Sequence, residues 1–117
     1  MRATYSFRAQ KELQAIVRNY NKSSPGLGME FMEELDAQIE LCFENPEIGL
    51  RLEEHHRRLV MKRFPFNIIY RIRENEIRVI AVAHQHREPG YWLGPKGKSI
   101  REPESGYSAN IINHAGS

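Results

Sequence analysis

The sequence has a single cysteine, Cys42, among its 117 residues. One cysteine cannot form a disulfide within the chain, and it cannot supply a cysteine-based zinc site. Its apolar neighbours Leu41 and Phe43 favour a buried thiol that packs as a small hydrophobic group over a reactive nucleophile. The sequence therefore gives no indication of cysteine chemistry.

Long apolar runs are also missing. No segment approaches the roughly 20 apolar residues that a membrane-spanning helix needs, and the N-terminal stretch MRATYSFRAQKEL lacks the apolar core of a secretory signal. The composition, with 40% hydrophobic and 27% charged residues, is typical of globular proteins. We expect a cytoplasmic protein with one domain, because a chain of this length is too short for two cores.

Cofactor and metal motifs are absent as well. The sequence GLG at residues 26–28 stands without the GxxxxGK or GxGxxG pattern of a phosphate-binding loop, and indicates a turn before a helix. His84 and His86 are two residues apart, but no third ligand is placed beside them, so zinc is not expected. We expect neither a cofactor nor a bound metal.

The net charge of +2 conceals an uneven distribution. Nine of the fifteen acidic residues fall within residues 30–54. Within residues 57–87, eight lysines or arginines stand against only Glu74 and Glu76. Clustered basic side chains attract polyanions or acidic protein surfaces. The second half of the chain is therefore the candidate interaction surface.

Apolar spacing predicts the first elements. The alternation of Tyr5 and Phe7 predicts a short strand over residues 4–7. Apolar residues at helical spacing then predict two helices, over residues 9–21 and 27–45, with serines, a proline and glycines between them. Pro46 ends the second helix. The short connection predicts an antiparallel helical hairpin.

Three strands are predicted in the second half, over residues 59–63, 66–73 and 77–83, after a loop that follows Pro46. The middle strand has two unlike faces. One would carry Phe66, Ile68, Tyr70 and Ile72, and the other Asn67, Ile69, Arg71 and Arg73. We expect an α+β fold in which the helical hairpin packs on the C-terminal antiparallel meander. The domain would cover residues 1–94, and the polar residues 95–117 would form a flexible tail.

Basic side chains on adjacent strands form the first candidate site. Guanidinium groups bind phosphate or carboxylate in a two-pronged manner that lysine does not match. The alternative is a solvated sheet face balanced by the acidic helix. The residues proposed to bind a target or an antitoxin are Arg58, Lys62, Arg63, Arg71, Arg73 and His86, with Arg57 and Arg78 on the same strands.

The end of the last strand is the second candidate site. His84 could exchange a proton near neutral pH, although a structural histidine that bonds a strand carbonyl is an equally good interpretation. Trp92 is expected to close the core, which leaves Tyr91 facing outward. His55 and His56 are predicted to be ordinary surface residues.

Four motifs occur in a set order along the chain. They are PGLG at residues 25–28, NP at 45–46, FPFNIIYR at 64–71 and AHQHREPGYW at 83–92. Together they resemble the RelE/ParE superfamily of bacterial toxins, most closely its ParE-like branch, over about residues 1–92. The resemblance implies a compact toxin of a type II toxin–antitoxin module, a class linked to plasmid stabilisation. Its cognate antitoxin would wrap it with an extended, partly disordered segment.

The superfamily implies two different activities. ParE-like members poison DNA gyrase, whereas RelE-like members cut mRNA on the ribosome with basic residues at the scissile phosphate and a tyrosine or histidine that moves protons. At or beside Asn67, the RelE-like pattern has an arginine. Asparagine cannot supply the positive charge that this transition state needs. We therefore expect a gyrase-directed toxin.

Two alternatives stay open: a ribosome-dependent mRNA endonuclease and an inactive toxin-fold binding protein. If the chain is a nuclease, the resemblance makes His84, Arg87 and Tyr91 the catalytic candidates. His86, where the pattern often has arginine or lysine, lowers the positive charge of this edge at neutral pH. The expected partners are an antitoxin and either gyrase or the ribosome with mRNA, without a membrane. A homodimer or a heterotetramer with the antitoxin is compatible with the sequence.

Overall fold

A computed structural model describes residues 1–93 of the chain. Two helices, α1 (Phe7–Ser23) and α2 (Leu27–Glu44), pack on one sheet of five strands. The strands are β1 (Arg2–Tyr5), β2 (Leu50–Arg51), β3 (His56–Val60), β4 (Phe66–Arg73) and β5 (Glu76–His84). Their order in the sheet is β1-β5-β4-β3-β2. The predicted α+β architecture is confirmed, while the predicted domain end at residue 94 and the tail lie outside the described residues.

The first strand joins the sheet in parallel, whereas the other neighbouring pairs are antiparallel. β1 lies beside β5, with Tyr5 opposite Val79. The prediction that Phe7 belongs to this strand is wrong, because Phe7 is the first residue of α1. Ser6 stands between the two elements: its Oγ accepts the Ala9 backbone N–H at 3.0 Å, which caps the helix.

The helical hairpin has the predicted position, and α1 extends two residues further at each end than expected. The turn passes through Gly26, whose φ of 91° lies in the left-handed region that favours glycine. Gly28 faces α1 so closely that a Cβ would lie 2.8 Å from the backbone oxygen of Val17. The Asn21 side chain accepts the Gly28 N–H at 2.9 Å, which satisfies one of the free amides at the start of α2.

The two faces of β4 are the predicted ones. The helix-covered face is defined by Phe66, Ile68, Tyr70 and Ile72. Phe66 and Ile68 pack on a core that includes Leu13 and Phe31, whereas Tyr70 packs with Cys42 and Ile77. The open face is defined by Asn67, Ile69, Arg71 and Arg73, which lie opposite Ala83, Ala81, Arg78 and Glu76 of β5. Burial departs from the pattern at two positions. Ile72 is 40% exposed near the strand end, whereas Ile69 on the open face is 1% exposed.

The segment after Pro46 is more ordered than the predicted loop, because it holds β2 between two short 3₁₀ turns. The hydroxyl of buried Tyr70 organises it: it accepts the Gly49 N–H at 2.9 Å and donates to the Pro46 carbonyl at 2.7 Å. A strand was predicted over residues 59–63, yet the observed strand, β3, begins at His56 and ends at Val60. The hydrogen bonds of the Tyr70 hydroxyl join residues 21 and 24 positions apart, so local periodicity could not indicate them.

Cys42 is fully buried, and burial raises the pKa of its thiol, which confirms the predicted role as a packing residue. Within residues 1–93, neither helix combines the length and the apolar character that crossing a membrane would demand.

Candidate functional site

Basic side chains form a row across the open face of the sheet. His56 of β3 lies opposite Arg71 of β4, and Arg71 lies opposite Arg78 of β5. Residues directly opposite one another on adjacent strands project from the same face. Arg58 lies next to this row, two residues beyond His56 on β3. The three arginines therefore share one surface.

No acidic side chain within residues 1–93 forms an ion pair with Arg58, Arg71 or Arg78. Arg73, also on the open face, differs because its Nε lies 3.9 Å from the Glu76 carboxylate. The alternative interpretation, in which the acidic helix balances this face, does not hold for the row, since α2 packs on the opposite face of the sheet. The row keeps a net positive charge that can attract an anionic group.

Lys62 and Arg63 lie elsewhere, in the connection between β3 and β4. Their backbone N–H groups donate to the two carboxylate oxygens of Glu34 on α2. The Arg63 guanidinium is 2.8 Å from the Glu30 carboxylate, so its charge is already compensated. The structure therefore separates these two predicted binding residues from Arg58 and Arg71.

His84, the last residue of β5, and His86 in the following turn contact each other at the surface. Nδ1 of His84 accepts the His86 backbone N–H at 3.1 Å, and the ring centroids are 5.3 Å apart. Among residues 1–93, the His84 ring accepts this turn amide and makes no bond to a strand carbonyl, which was one of its two interpretations. Among the described residues, no group of three potential metal ligands is present.

Tyr91 is half-buried rather than turned outward as expected. Its hydroxyl donates to the Glu12 carboxylate of α1, which also accepts the Val82 backbone N–H at 2.8 Å. The guanidinium carbons of Arg87 and Arg8 lie 4.0 and 5.4 Å from the Tyr91 ring centroid. We call Glu12, Tyr91 and the Val82 amide the clasp, because they join α1, β5 and the last described turn.

Burial controls the protonation of both side chains in the clasp. Desolvation raises the pKa of Glu12, although the bond from Tyr91, the bond from Val82 and the two arginines oppose this shift. The pKa of Tyr91 is also raised, first by burial and then by the Glu12 carboxylate. A phenol with a raised pKa, whose proton is held by a carboxylate, is poorly suited to act as a general base.

Sequence reasoning missed Glu12. One signal was available, because Glu12 is the only acidic residue before Glu30 and stands among the basic residues of α1. An isolated acid in a basic helix is a candidate for a specific partner. Its two acceptor bonds depend on where β1 ends: within residues 1–93, no strand pairs with the outer edge of β5 beyond Val79.

Trp92 and His56 meet on the open face, with ring centroids 6.3 Å apart. His56 is 3% exposed, so its predicted placement at the surface is wrong. Burial lowers its pKa, and its Nδ1 lies 3.0 Å from the Glu53 carbonyl oxygen. His55 is exposed, as expected. Trp92 is half-buried and is followed by buried Leu93, so this turn lies against the sheet.

Comparison with known proteins identifies the family. Residues 4–89 match the family model described as the ParE toxin of the type II toxin–antitoxin system, parDE. The chain belongs to the ParE toxin family. This confirms the resemblance seen in the four sequence motifs.

A solved structure supports the fold of this ParE-family chain. It comes from the chromosomal ParDE toxin–antitoxin system of P. aeruginosa, and the two folds agree with a TM-score of 0.62 at 19% sequence identity. The match covers 72% of this chain and 95% of the other. No curated protein sequence matches the chain.

In this ParE-family chain, the residues proposed for nuclease chemistry do not form a set of free groups. His84 and Arg87 are exposed near the end of β5, whereas the Tyr91 hydroxyl is bound to Glu12. Asn67 lies opposite Ala83 on the open face, and its Oδ1 is buried without a hydrogen-bond partner among the described residues. The expected position of a catalytic cation therefore holds a neutral amide.

Proposed function

We propose that this ParE-family toxin poisons DNA gyrase in the cytoplasm and is neutralised by a cognate antitoxin. The gyrase target is what membership of the ParE branch implies. The observation that supports it over mRNA cleavage is the clasp, in which the hydroxyl of Tyr91 donates to the buried Glu12 carboxylate. A nuclease of the RelE-like kind needs a side chain that is free to move protons and a cation at the phosphate.

Growth arrest is the first test. Expression of the full chain without a partner should stop bacterial division, and co-expression of the antitoxin encoded beside it should restore growth. Arg87→Ala is the informative variant, because Arg87 is exposed beside the Tyr91 ring and its loss should weaken a target contact without unfolding the chain. Normal growth at confirmed soluble expression would instead support the inactive toxin-fold protein.

The target is settled by a second experiment on purified protein. With gyrase and supercoiled plasmid, the chain should cause accumulation of cleaved DNA, and cells should show a DNA-damage response. In a translation reaction, the mRNA should remain intact. The reverse result, in which mRNA is cut and gyrase is unaffected, would establish the endonuclease alternative and reject our proposal.

Antitoxin binding is proposed to use the open face. Arg58, Arg71 and Arg78 carry positive charge without an ionic partner within residues 1–93. An acidic segment that folds on binding would compensate that charge, and attraction between exposed charges speeds association. The association rate should therefore fall as salt is added, because salt screens such attraction. A rate that is indifferent to ionic strength would contradict this part of the proposal.

A further inference from the structure

Three N–H donors near the open face are buried and have no acceptor among residues 1–93. They are Nε of Arg58, Nε of Arg71 and the indole Nε1 of Trp92. Buried polar groups in folded proteins nearly always find a partner. Three orphaned donors in one region of the molecule therefore indicate that an acceptor from outside these residues belongs there.

The residues that carry these donors lie on β3, on β4 and in the turn that contacts β3. Arg58 lies opposite Ile69, and Arg71 follows Ile69 by two residues on the same face. Trp92 contacts the ring of His56, which lies opposite Arg71. Adjacent strands are about 4.8 Å apart, and same-face neighbours along a strand are about 7 Å apart. A single small group can thus lie within reach of more than one donor.

An oxyanion is the chemical class that fits these donors. All three are N–H groups, two belong to guanidinium ions, and neither arginine is ion-paired within the described part of the chain. Guanidinium forks match the geometry of both carboxylate and phosphate. The surroundings must therefore decide which of the two is bound.

Two features of the surroundings favour a peptide carboxylate over a nucleic-acid phosphate. Exposed apolar side chains flank Arg58: Leu50 lies opposite it and is 59% exposed, and Val60 is 49% exposed two residues further along β3. A buried acceptor, Oδ1 of Asn67, also lacks a partner in residues 1–93, and Asn67 lies opposite Val60. A peptide offers apolar side chains and backbone N–H donors besides a carboxylate, whereas the sugar–phosphate backbone of a nucleic acid offers neither.

We propose that Arg58, Arg71 and Trp92 form a carboxylate site that receives an acidic side chain from a partner's peptide segment. The segment's apolar side chains lie on Leu50 and Val60, and Asn67 accepts one of its N–H groups. This inference rests on the proposed function, in which the partner is the antitoxin, and it adds the group that the toxin recognises.

The donors can be observed directly by nuclear magnetic resonance on the ¹⁵N-labelled full chain. The probe is a capped peptide of alternating leucine and glutamate, with a glutamine-for-glutamate peptide as its control. The glutamate peptide should shift the arginine Nε–H and Trp92 indole signals together and saturably. Equal binding of the glutamine peptide, or no saturable shift with either peptide, would overturn the proposal.

Variants test which arginine matters. Arg71→Gln should weaken glutamate-peptide binding by about tenfold or more, as expected when one partner of a hydrogen-bonded charge pair is removed. Arg73→Gln is the matched control, because Arg73 is on the same strand and face but pairs with Glu76. An equal loss of peptide affinity in both variants would show that the peptide responds only to overall positive charge, and would reject the proposed site.

Two further arms separate this inference from its alternatives. A short single-stranded DNA that shifts the same signals more strongly than the peptide would replace the carboxylate with a phosphate and overturn the proposal. Growth arrest is measured independently. A chain that arrests growth but does not bind the glutamate peptide rejects the inference alone, whereas a chain that binds the peptide but never arrests growth rejects the proposed function alone.

Discussion

Replacement of Glu12 by alanine tests the clasp between α1 and the end of the described chain. The carboxylate accepts the Val82 N–H and the Tyr91 hydroxyl. Alanine leaves both donors without this acceptor, at a strand edge that β1 does not cover because it ends at Tyr5 opposite Val79. A hydrogen bond to a charged group contributes roughly 1.5–3 kcal/mol to stability.

The sum of two such bonds overstates the loss. Burial of the carboxylate is itself unfavourable, which is why the pKa of Glu12 is raised despite two hydrogen bonds and two nearby arginines. We expect a net destabilisation of about 2 kcal/mol for Glu12→Ala. For a domain of this size, that loss lowers the melting temperature by about 8 °C. Tyr91→Phe removes only one of the bonds, so we expect about 1 kcal/mol.

A double-mutant cycle distinguishes a direct bond from unrelated losses. Urea unfolding of the two single variants and the double variant should give a coupling energy of about 1 kcal/mol, because residues in contact are not additive. Glu33→Ala is the control: Glu33 is exposed on α2, and its loss should change stability by less than about 0.5 kcal/mol. Additive effects of Glu12→Ala and Tyr91→Phe would refute the reasoning.

Three other predictions, which use four substitutions, give separate tests. Burial raises the pKa of Glu12, so the folded state binds this proton more tightly than the unfolded state; the natural chain should gain stability relative to Glu12→Gln as pH falls from neutral toward 4.5, and urea unfolding that gives a constant difference would contradict this. Tyr70→Phe should cost about 1–3 kcal/mol and increase hydrogen exchange at the Gly49 amide, which would lose its acceptor; unchanged exchange would separate β2 from this hydroxyl. Trp92→Ala should cost about 3 kcal/mol, whereas Arg87→Ala should reduce growth arrest with little change in melting temperature; a Trp92→Ala chain that stays fully stable but harmless would move Trp92 into the target site.

The sequence alone determined the features that depend on neighbours a few residues apart. Helical spacing located both helices to within two residues at each end, because one apolar stripe must face the core at every turn. Alternation divided β4 into its two faces, because successive side chains of a strand point to opposite sides of the sheet. The order of four short motifs was enough to indicate the family, which the match over residues 4–89 confirmed.

Tertiary structure decided the features that depend on distant residues. Nothing local in Leu50 and Arg51 indicates a strand; β2 exists beside β3 where the Tyr70 hydroxyl holds Gly49. His56 is buried by the fold although its sequence neighbours are polar.

The candidate sites follow the same division. Sequence located basic residues on the strands, but only the strand register shows that Arg58 and Arg71 share a face, while Arg63 pairs with Glu30 of α2. The clasp joins Glu12 to Tyr91 across 79 positions. A hydrogen bond between residues so far apart leaves no periodic trace in the sequence, because it depends on where β1 ends and on how the helical hairpin crosses the sheet.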